Sequence, residues 1–364
     1  MASQPLLKRR SFLASLAILS FSVAACQTTP PEAPSANAPA ASGGSSGGTI
    51  SINGAGASFP APLYQRWFAE YNKLNPKVQI SYQSVGSGAG VEQFLAGTVD
   101  FGATDAPLKD EERTKFKEKY GADPVQLPMT AGSVVMAYNL PDVPDLKLSR
   151  AALCGIANGK ITKWNDPAIA SANPGVTLPD TNISFVHRSD GSGTTDIFTN
   201  HLKAACPDWT AGAAKSIEWP VGTGAKGNEG ITAQVQQTPG AIGYVEYAYA
   251  RENGLKMASL QNKAGNFITP SPEAGSLAFK GATVPPDFAL RVADPTEADA
   301  YPITSLTWIL MYPTYQDPAK GEALASVFNW SLTEGQKIAT ELGYVPMPGD
   351  LNDKVKGELT KFKK

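Results

Sequence analysis

Residues 183–205 read ISFVHRSDGSGTTDIFTNHLKAA, an apolar run followed by a glycine-rich turn and an amphipathic segment. The first six residues have strand character, while Ile197 and Leu202 lie on one face of the helix that is predicted to follow the turn. The turn combines glycines with hydroxyl side chains, so backbone N–H groups at the helix start are open to an anion. This segment predicts an α/β fold with an anion site at a strand–helix junction.

The same alternation of short apolar runs and amphipathic segments continues along the chain, as is typical of an α/β protein. Apolar residues recur at helical spacing over residues 63–74, and residues 78–82 then alternate as in a strand. Further strands are predicted at residues 99–104, 134–139 and 303–312, and further helices at residues 109–120 and within 319–342. The run 243–250 fits neither pattern clearly.

The N-terminus has the composition of an export signal. Lys8, Arg9 and Arg10 precede an uncharged apolar stretch, residues 12–25, which is shorter than the about 20 residues that span a bilayer. The stretch ends in small residues before Cys26, an arrangement that resembles the lipobox of bacterial lipoproteins. Residues 1–26 are therefore expected to be a lipoprotein signal peptide, with an ordinary signal peptide as the alternative. The paired arginines also resemble the twin-arginine export motif, and the export route stays open.

Residues 27–48 consist almost wholly of Pro, Ala, Ser, Thr and Gly, with a single charge at Glu32. Such a segment buries too little apolar surface to offset its ordering entropy, and we expect a disordered tether. The protein is thus expected outside the cytoplasmic membrane, on the periplasmic or cell-surface side, anchored through a lipid on Cys26.

Charge, histidine content and cysteine content limit the classes of ligand and the compartment that are expected. The chain has 31 Lys and Arg and 33 Asp and Glu; the predicted leader removes three positive charges, so 28 minus 33 leaves −5. This balance gives no bulk attraction for nucleic acid. With only His187 and His201 and no cluster at metal-ligand spacing, no metal or cofactor is expected. Cys154 and Cys206 favour a disulfide in an oxidising compartment, with two buried thiols as the alternative.

Two more glycine-rich junctions resemble the turn at residues 188–194. They are residues 54–60, which contain Ser58, and residues 86–90, which contain Ser87. Arg188 adds a guanidinium fork that suits two oxygens of a tetrahedral oxyanion.

Asp105 ends a predicted strand within DFGATDAP, residues 100–107. A carboxylate that faces an anion repels it unless it accepts a hydrogen bond from a proton that the anion carries. Phosphate near neutral pH carries such a proton and sulfate does not, so Asp105 would favour phosphate. Asp190, two residues from Arg188, is placed to fix the guanidinium plane.

Several motifs together resemble the phosphate-specific substrate-binding proteins of bacterial ABC importers. They are GAGASFPAP (54–62), DFGATDAP (100–107), GKITKWND (159–166), RSDGSGT (188–194), KGNEG (226–230) and PGAIGYVEYAYA (239–250). The resemblance extends from about residue 52 to residues 303–305. It implies a type II periplasmic-binding-protein fold, in which two α/β lobes, each a central sheet flanked by helices, are joined by a hinge and close over one phosphate ion. Residues 49–133 plus 302–364 would form lobe I, and residues 134–301 would form lobe II.

The resemblance also implies a ligand set and partners. From lobe I the phosphate ligands would be Ser58, Phe59, Ser87 and Asp105. From lobe II they would be Arg188, Ser192, Gly193 and Thr194, with Asp190 behind the arginine. The protein would be a monomer that delivers phosphate to a membrane-embedded phosphate ABC permease, and it would not be an enzyme.

Two other functions compete with this interpretation. A phosphate-ester hydrolase would need a base beside a nucleophile such as Ser192, and the chain has only two histidines. A receptor for another oxyanion, such as sulfate or molybdate, is disfavoured by Asp105.

Overall fold

The computed structural model describes residues 48–362. Residues 1–47 lie outside the described residues. The signal peptide, the lipid on Cys26 and the tether therefore remain predictions from the sequence. No helix within the described range is long and apolar enough to cross a membrane.

Twelve strands occur within residues 48–362. They are β1 (Ile50–Gly56), β2 (Val78–Ser84), β3 (Phe101–Thr104), β4 (Val125–Tyr138), β5 (Lys147–Leu148), β6 (Ser184–Arg188), β7 (Thr223–Ala225), β8 (Ala241–Glu246), β9 (Lys256–Met257), β10 (Ser259–Gln261), β11 (Phe267–Ile268) and β12 (Thr304–Met311).

Twelve α-helices and two 3₁₀ helices accompany these strands within the same described range. The α-helices are α1 (Ala61–Leu74), α2 (Ser87–Ala96), α3 (Asp110–Tyr120), α4 (Arg150–Ala157), α5 (Pro167–Ala170), α6 (Gly193–Ala205), α7 (Gly227–Gln237), α8 (Tyr247–Glu252), α9 (Pro272–Ser276), α10 (Pro318–Ser331), α11 (Gly335–Leu342) and α12 (Gly349–Leu359); the 3₁₀ helices are Leu277–Phe279 and Thr360–Phe362.

The main sheet has the strand order β2-β1-β3-β12-β4-β8-β6-β7, with β9 paired to β4 at one side. Its outer pairs are parallel and the pairs that involve β4 and β12 are antiparallel. A separate sheet of three short strands has the order β11-β10-β5. Helices flank a mixed central sheet, so the predicted α/β fold of the periplasmic-binding-protein type is confirmed.

The long strand β4 connects the two ends of the main sheet. Its first nine residues pair with β12, and its last five, from Val134, pair with β8. The predicted strand at residues 134–139 is therefore the second half of a longer strand, whose first half is interrupted in sequence by Pro128 and Gly132. The predicted lobe boundary between residues 133 and 134 falls at this change of partner. Contacts group the described residues, 48–362, into one unit, and the division into two lobes stays a prediction.

Most predicted elements occur close to their expected bounds. The run 243–250, whose type the sequence left open, contains the end of β8 and the start of α8. Leu63 and Trp67 in α1 are fully buried, and the Trp67 Nε1–H group donates to the Gly335 carbonyl at 2.7 Å. The apolar face of α1 is thus covered by α11, as the helical spacing of its large side chains requires.

Four helices begin a few residues after a strand of the main sheet: α1 follows β1, α2 follows β2, α6 follows β6 and α7 follows β7. In an open α/β sheet, ligands bind beyond the carboxyl ends of parallel strands, where the N–H groups of the next helices are free. β1 and β2 run antiparallel to β6 and β7 in the sheet, so the helix starts form two sets, one at the carboxyl ends of each pair of strands.

A disulfide joins Cys154 in α4 to Cys206, the residue that follows α6, across a Cα–Cα distance of 5.6 Å. The bond closes a loop of 52 residues. It ties α4 to the end of the helix whose start carries Ser192, Gly193 and Thr194.

Replacing both Cys154 and Cys206 by Ser is expected to lower the free energy of unfolding by about 2–4 kcal/mol, because the unfolded chain regains the entropy of the open loop. Urea unfolding of the variant and of the oxidised and reduced wild type would measure this. The reduced wild type should match the variant, and an unfolding midpoint equal to that of the oxidised protein would contradict the prediction.

Candidate ligand-binding site

The residues that the sequence singled out lie close together at the carboxyl ends of strands of the main sheet. The Gly88 N–H donates to the Gly191 carbonyl at 2.7 Å, which joins the start of α2 to the turn before α6. A Cβ placed on Gly193 would lie 2.5 Å from Ser87 Oγ and 2.6 Å from Asp105 Oδ2. Glycine at this position therefore allows the start of α6 to approach Asp105.

Some backbone N–H groups at these strand ends are available as donors. Among the hydrogen bonds of the described residues, none uses the N–H of Phe59, Gly193 or Thr194. Phe59 is fully buried, and its carbonyl accepts a hydrogen bond of 2.7 Å from the Tyr344 hydroxyl, which fixes the peptide. Buried N–H groups are costly without a partner, so this cluster favours an acceptor-rich ligand.

Arg188 is held in a bidentate pair with Asp190. Its Nε and Nη2 donate to the two carboxylate oxygens at 2.7 and 2.6 Å, and its side chain is 1% exposed. Burial opposes ionisation of Asp190, but the hydrogen bonds and charge of Arg188 outweigh it and lower the pKa of this carboxyl. The guanidinium plane is thus fixed, with Nη1 directed to Thr194 Oγ1 at 3.3 Å.

Asp105 is a buried carboxyl with two hydroxyl neighbours. Oδ1 accepts from Thr307 Oγ1 at 2.8 Å, and Oδ2 accepts from Ser87 Oγ at 3.3 Å. Burial raises the pKa of Asp105 to about 7, against the opposing effects of the Thr307 hydrogen bond and the Arg188 charge. The carboxyl can therefore gain or lose a proton near neutral pH.

The hydroxyls of Ser58 and Ser192 accept hydrogen bonds from neighbouring N–H groups, Ser58 twice and Ser192 once. The Ser58 hydroxyl accepts hydrogen bonds from the backbone N–H and the side-chain amide of Asn228, at 3.1 and 2.8 Å. The Ser192 hydroxyl caps α6 by accepting from Thr195 N–H, while the Ser192 N–H donates to the Lys215 carbonyl. A ligand at Ser192 would therefore accept a hydrogen bond from its hydroxyl and not from its backbone N–H.

The eight residues predicted to bind the ligand, together with Asp190, thus lie in one hydrogen-bonded neighbourhood where these strand ends meet. Their role toward a ligand remains a prediction. Among the described residues, no group of three or more His, Cys, Asp or Glu is placed to hold a metal ion.

Three polar residues that support this neighbourhood were not singled out from the sequence. They are Thr307, which donates to Asp105, Asn228, which donates to Ser58, and Tyr244, whose hydroxyl accepts from the Arg188 N–H at 2.9 Å. Thr307 is one of three hydroxyl residues in β12, with Thr304 and Ser305, and the sequence does not distinguish it from the other two. Asn228 and Tyr244 lie in quoted motifs, but local sequence gives no means to assign them a contact.

Comparison with known proteins identifies relatives across most of the chain. A family model described as a PBP superfamily domain matches residues 35–334. Phosphate-binding protein PstS of Xylella fastidiosa is 45% identical over 309 residues, with 83% of each chain covered. Phosphate-binding protein PstS of Haemophilus influenzae is 43% identical over 314 residues, covering 85% of this chain and 92% of the relative.

Among solved structures, the phosphate-binding protein of Stenotrophomonas maltophilia superposes with a TM-score of 0.69 at 22% identity. The match covers 85% of this chain and 94% of that one. At this identity the likeness concerns the fold.

Ionisation of Asp105 is expected to destabilise the ligand-free protein. Its pKa is raised from the ordinary 3.8 to about 7 in the folded chain, so the folded state binds more protons between these values. The free energy of unfolding therefore falls as pH rises through this window. Asp105→Asn should remove the penalty and stabilise the protein at pH 8.5 more than at pH 4.5, by about 4 kcal/mol at most.

Urea unfolding at both pH values in phosphate-free buffer would measure the difference. Thr307→Val is the matched variant, because it removes the hydrogen bond that lowers the Asp105 pKa and should move the pH dependence upward. An effect of Asp105→Asn that is equal at the two pH values would contradict the raised pKa.

Proposed function

The chain belongs to the PBP superfamily and, within it, to the family of phosphate-binding proteins, and from this membership we propose that it binds one inorganic phosphate ion and supplies it to an ABC importer for uptake. The observation that carries the proposal is the buried Asp105 carboxyl beside the free N–H groups of Gly193 and Thr194 and the fixed guanidinium of Arg188. The oxygens of an anion can accept hydrogen bonds from these donors. A proton on that anion can be donated to the carboxyl.

Phosphate oxygens would be bound by donors from both sides. The backbone N–H groups of Phe59, Gly193 and Thr194 are free within residues 48–362 to donate. The hydroxyls of Ser58 and Ser192 each have a proton to donate, because their oxygens already accept from neighbouring N–H groups. Arg188 supplies its remaining guanidinium hydrogens, and Ser87 would join the set only by turning its proton from Asp105 to the ion. Charge-assisted hydrogen bonds of this kind are the strong ones in protein sites.

Asp105 would supply the selectivity. When it is ionised it accepts the proton of hydrogen phosphate, and it repels an oxyanion such as sulfate that has no proton near neutral pH. Thr307 and Ser87 hold the carboxyl in place by bonding both of its oxygens.

The protein acts by binding and does not catalyse a reaction. Serine nucleophiles need an adjacent base. His187 stacks on Trp219 with 5.1 Å between ring centroids, and His201 is buried with Nδ1 at 4.0 Å from Asp294 Oδ1. Neither imidazole is hydrogen-bonded to Ser192, whose hydroxyl instead caps α6.

Transport would depend on two lobes that close over the ion, residues 49–133 plus 302–364 and residues 134–301. The hinge would lie where β4 changes partner from β12 to β8. Contacts such as the 2.7 Å ion pair between Lys215 and Glu112 would hold the closed form. The monomer would be attached to a membrane through lipidated Cys26, and its partner would be the membrane-embedded phosphate permease.

Arg188→Ala should weaken phosphate binding at least about 100-fold. The substitution removes charge-assisted hydrogen bonds of about 1.5–3 kcal/mol each and leaves the Asp190 carboxylate unpaired beside the anion. Calorimetric titration with phosphate would measure it. Arg150→Ala is a matched control, since Arg150 forms a similar bidentate pair with Asp294 away from the site. An affinity within a factor of ten of wild type for Arg188→Ala would place this arginine outside the site.

Asp105→Asn should relax discrimination against sulfate. The amide nitrogen can donate to an oxyanion that has no proton, so the ratio of sulfate to phosphate dissociation constants should fall at least about tenfold. Equilibrium dialysis with the two labelled ions would give this ratio. Asp100→Asn, whose side chain pairs with Lys320, is the control and should keep the wild-type ratio. An unchanged ratio in Asp105→Asn would refute the selective role of Asp105.

A further inference from the structure

Asn228 links the two sides of the candidate site through a single amide group. It lies in the first turn of α7 and is fully buried. Its Nδ2 donates to Ser58 Oγ at 2.8 Å and to Thr194 Oγ1 at 3.2 Å, and its backbone N–H also donates to Ser58 Oγ at 3.1 Å. Ser58 precedes α1 and Thr194 lies in the first turn of α6, so one side chain contacts both predicted lobes.

The orientation of this amide is fixed by a third element. Asn228 Oδ1 accepts from the Glu246 N–H at the end of β8, at 2.9 Å. A flipped amide would direct its NH₂ group at that N–H and lose the donors to both hydroxyls. The preceding residue, Gly227, has φ +72°, and its N–H donates to Asp190 Oδ1 at 3.1 Å. The start of α7 is therefore aligned with the Arg188–Asp190 pair.

These contacts determine what the two hydroxyls can still do. A hydroxyl has two acceptor sites and one proton to donate. Ser58 Oγ accepts twice from Asn228, and Thr194 Oγ1 accepts once from Asn228 and once from Arg188 Nη1. Both oxygens have their acceptor sites filled, and only their protons remain for another partner.

We propose that Asn228 is a positioning residue that sets Ser58 and Thr194 as obligate hydrogen-bond donors and thereby favours an anion over a neutral ligand or water. The inference rests on the proposed function, since it concerns how the hydroxyl groups of that same site are oriented. An anion offers only acceptors, so a hydroxyl that presents a lone pair would repel it. The bonds from Asn228 exclude that orientation before the ion arrives, which lowers the cost of reorganisation on binding.

The first test is a double-mutant cycle measured by calorimetric titration with inorganic phosphate. Asn228→Ala should weaken binding at least about tenfold, since two hydrogen bonds that orient the donors are lost. In a Ser58→Ala background the same change should cost at least about threefold less, because its effect passes partly through the Ser58 hydroxyl. Additive effects would overturn the proposal, and so would an Asn228→Ala affinity within threefold of wild type.

Asn139→Ala is the matched control for this cycle. Asn139 also donates two hydrogen bonds from Nδ2, to the carbonyls of Val235 and Gln236 at the other end of α7. Its loss disturbs the same helix without touching a hydroxyl of the site. The phosphate affinity of this variant should stay within threefold of wild type, and a loss equal to that of Asn228→Ala would show that only the placement of α7 matters.

Asn228→Asp gives a second readout, and it keeps the side-chain shape if the alanine variant does not fold. An ionised carboxylate cannot donate to Ser58 or Thr194 and repels phosphate, whereas a protonated one donates one bond. Position 228 is fully buried, and burial raises the pKa of a carboxyl, so the ratio of variant to wild-type dissociation constants should fall at least about tenfold as pH is lowered from 8.5 to 5.5. A ratio independent of pH would contradict the role. If the wild type itself does not bind phosphate, the proposed function fails, whereas normal wild-type binding with unaffected variants refutes Asn228 alone.

Discussion

The positive charge of Arg188 is already balanced by Asp190, which accepts from two of its nitrogens. Because Asp105 adds a second carboxyl, the site has no net positive charge with which to attract an anion. The chain as a whole, without its predicted leader, is also acidic. Binding must therefore depend on oriented hydrogen-bond donors, and the rest of the architecture is consistent with that constraint.

The sheet topology supplies those donors. The carboxyl ends of β1 and β2 come close to those of the antiparallel β6 and β7, where the N–H groups of Phe59, Gly193 and Thr194 have no partner within residues 48–362. Fixed dipoles at short range can stabilise an anion in a buried site as well as a full charge does, without reorganisation. Asn228 extends this principle to side chains, because it leaves Ser58 and Thr194 with only protons to offer. In the proposed site Asp105 would be the acceptor for the ion's own proton.

Much of this could be predicted from the sequence because the important signals are local. The strand, turn and helix around Arg188 lie within one short segment, as do the glycine-rich turns that contain Ser58 and Ser87. What could not be predicted depends on pairs far apart in the chain. Thr307 reaches Asp105 across 202 positions, and Asn228 reaches Ser58 across 170. Hydrophobic periodicity and turn chemistry describe neighbours in sequence, so they carry no information about which buried hydroxyl meets which carboxyl. The length of β4 was underestimated for a related reason, since burial on both faces removes the alternation that marks a strand.

We propose that the site recognises the proton on its ligand through Asp105. Monofluorophosphate tests it most directly, because near neutral pH it has the charge and nearly the size of hydrogen phosphate but carries fluorine where phosphate carries its hydroxyl. Competition calorimetry at pH 8 would compare the two ions on the unmodified protein. Monofluorophosphate should bind at least roughly 100-fold more weakly, since Asp105 then faces fluorine without a proton to accept. Equal affinity for the two ions would contradict it.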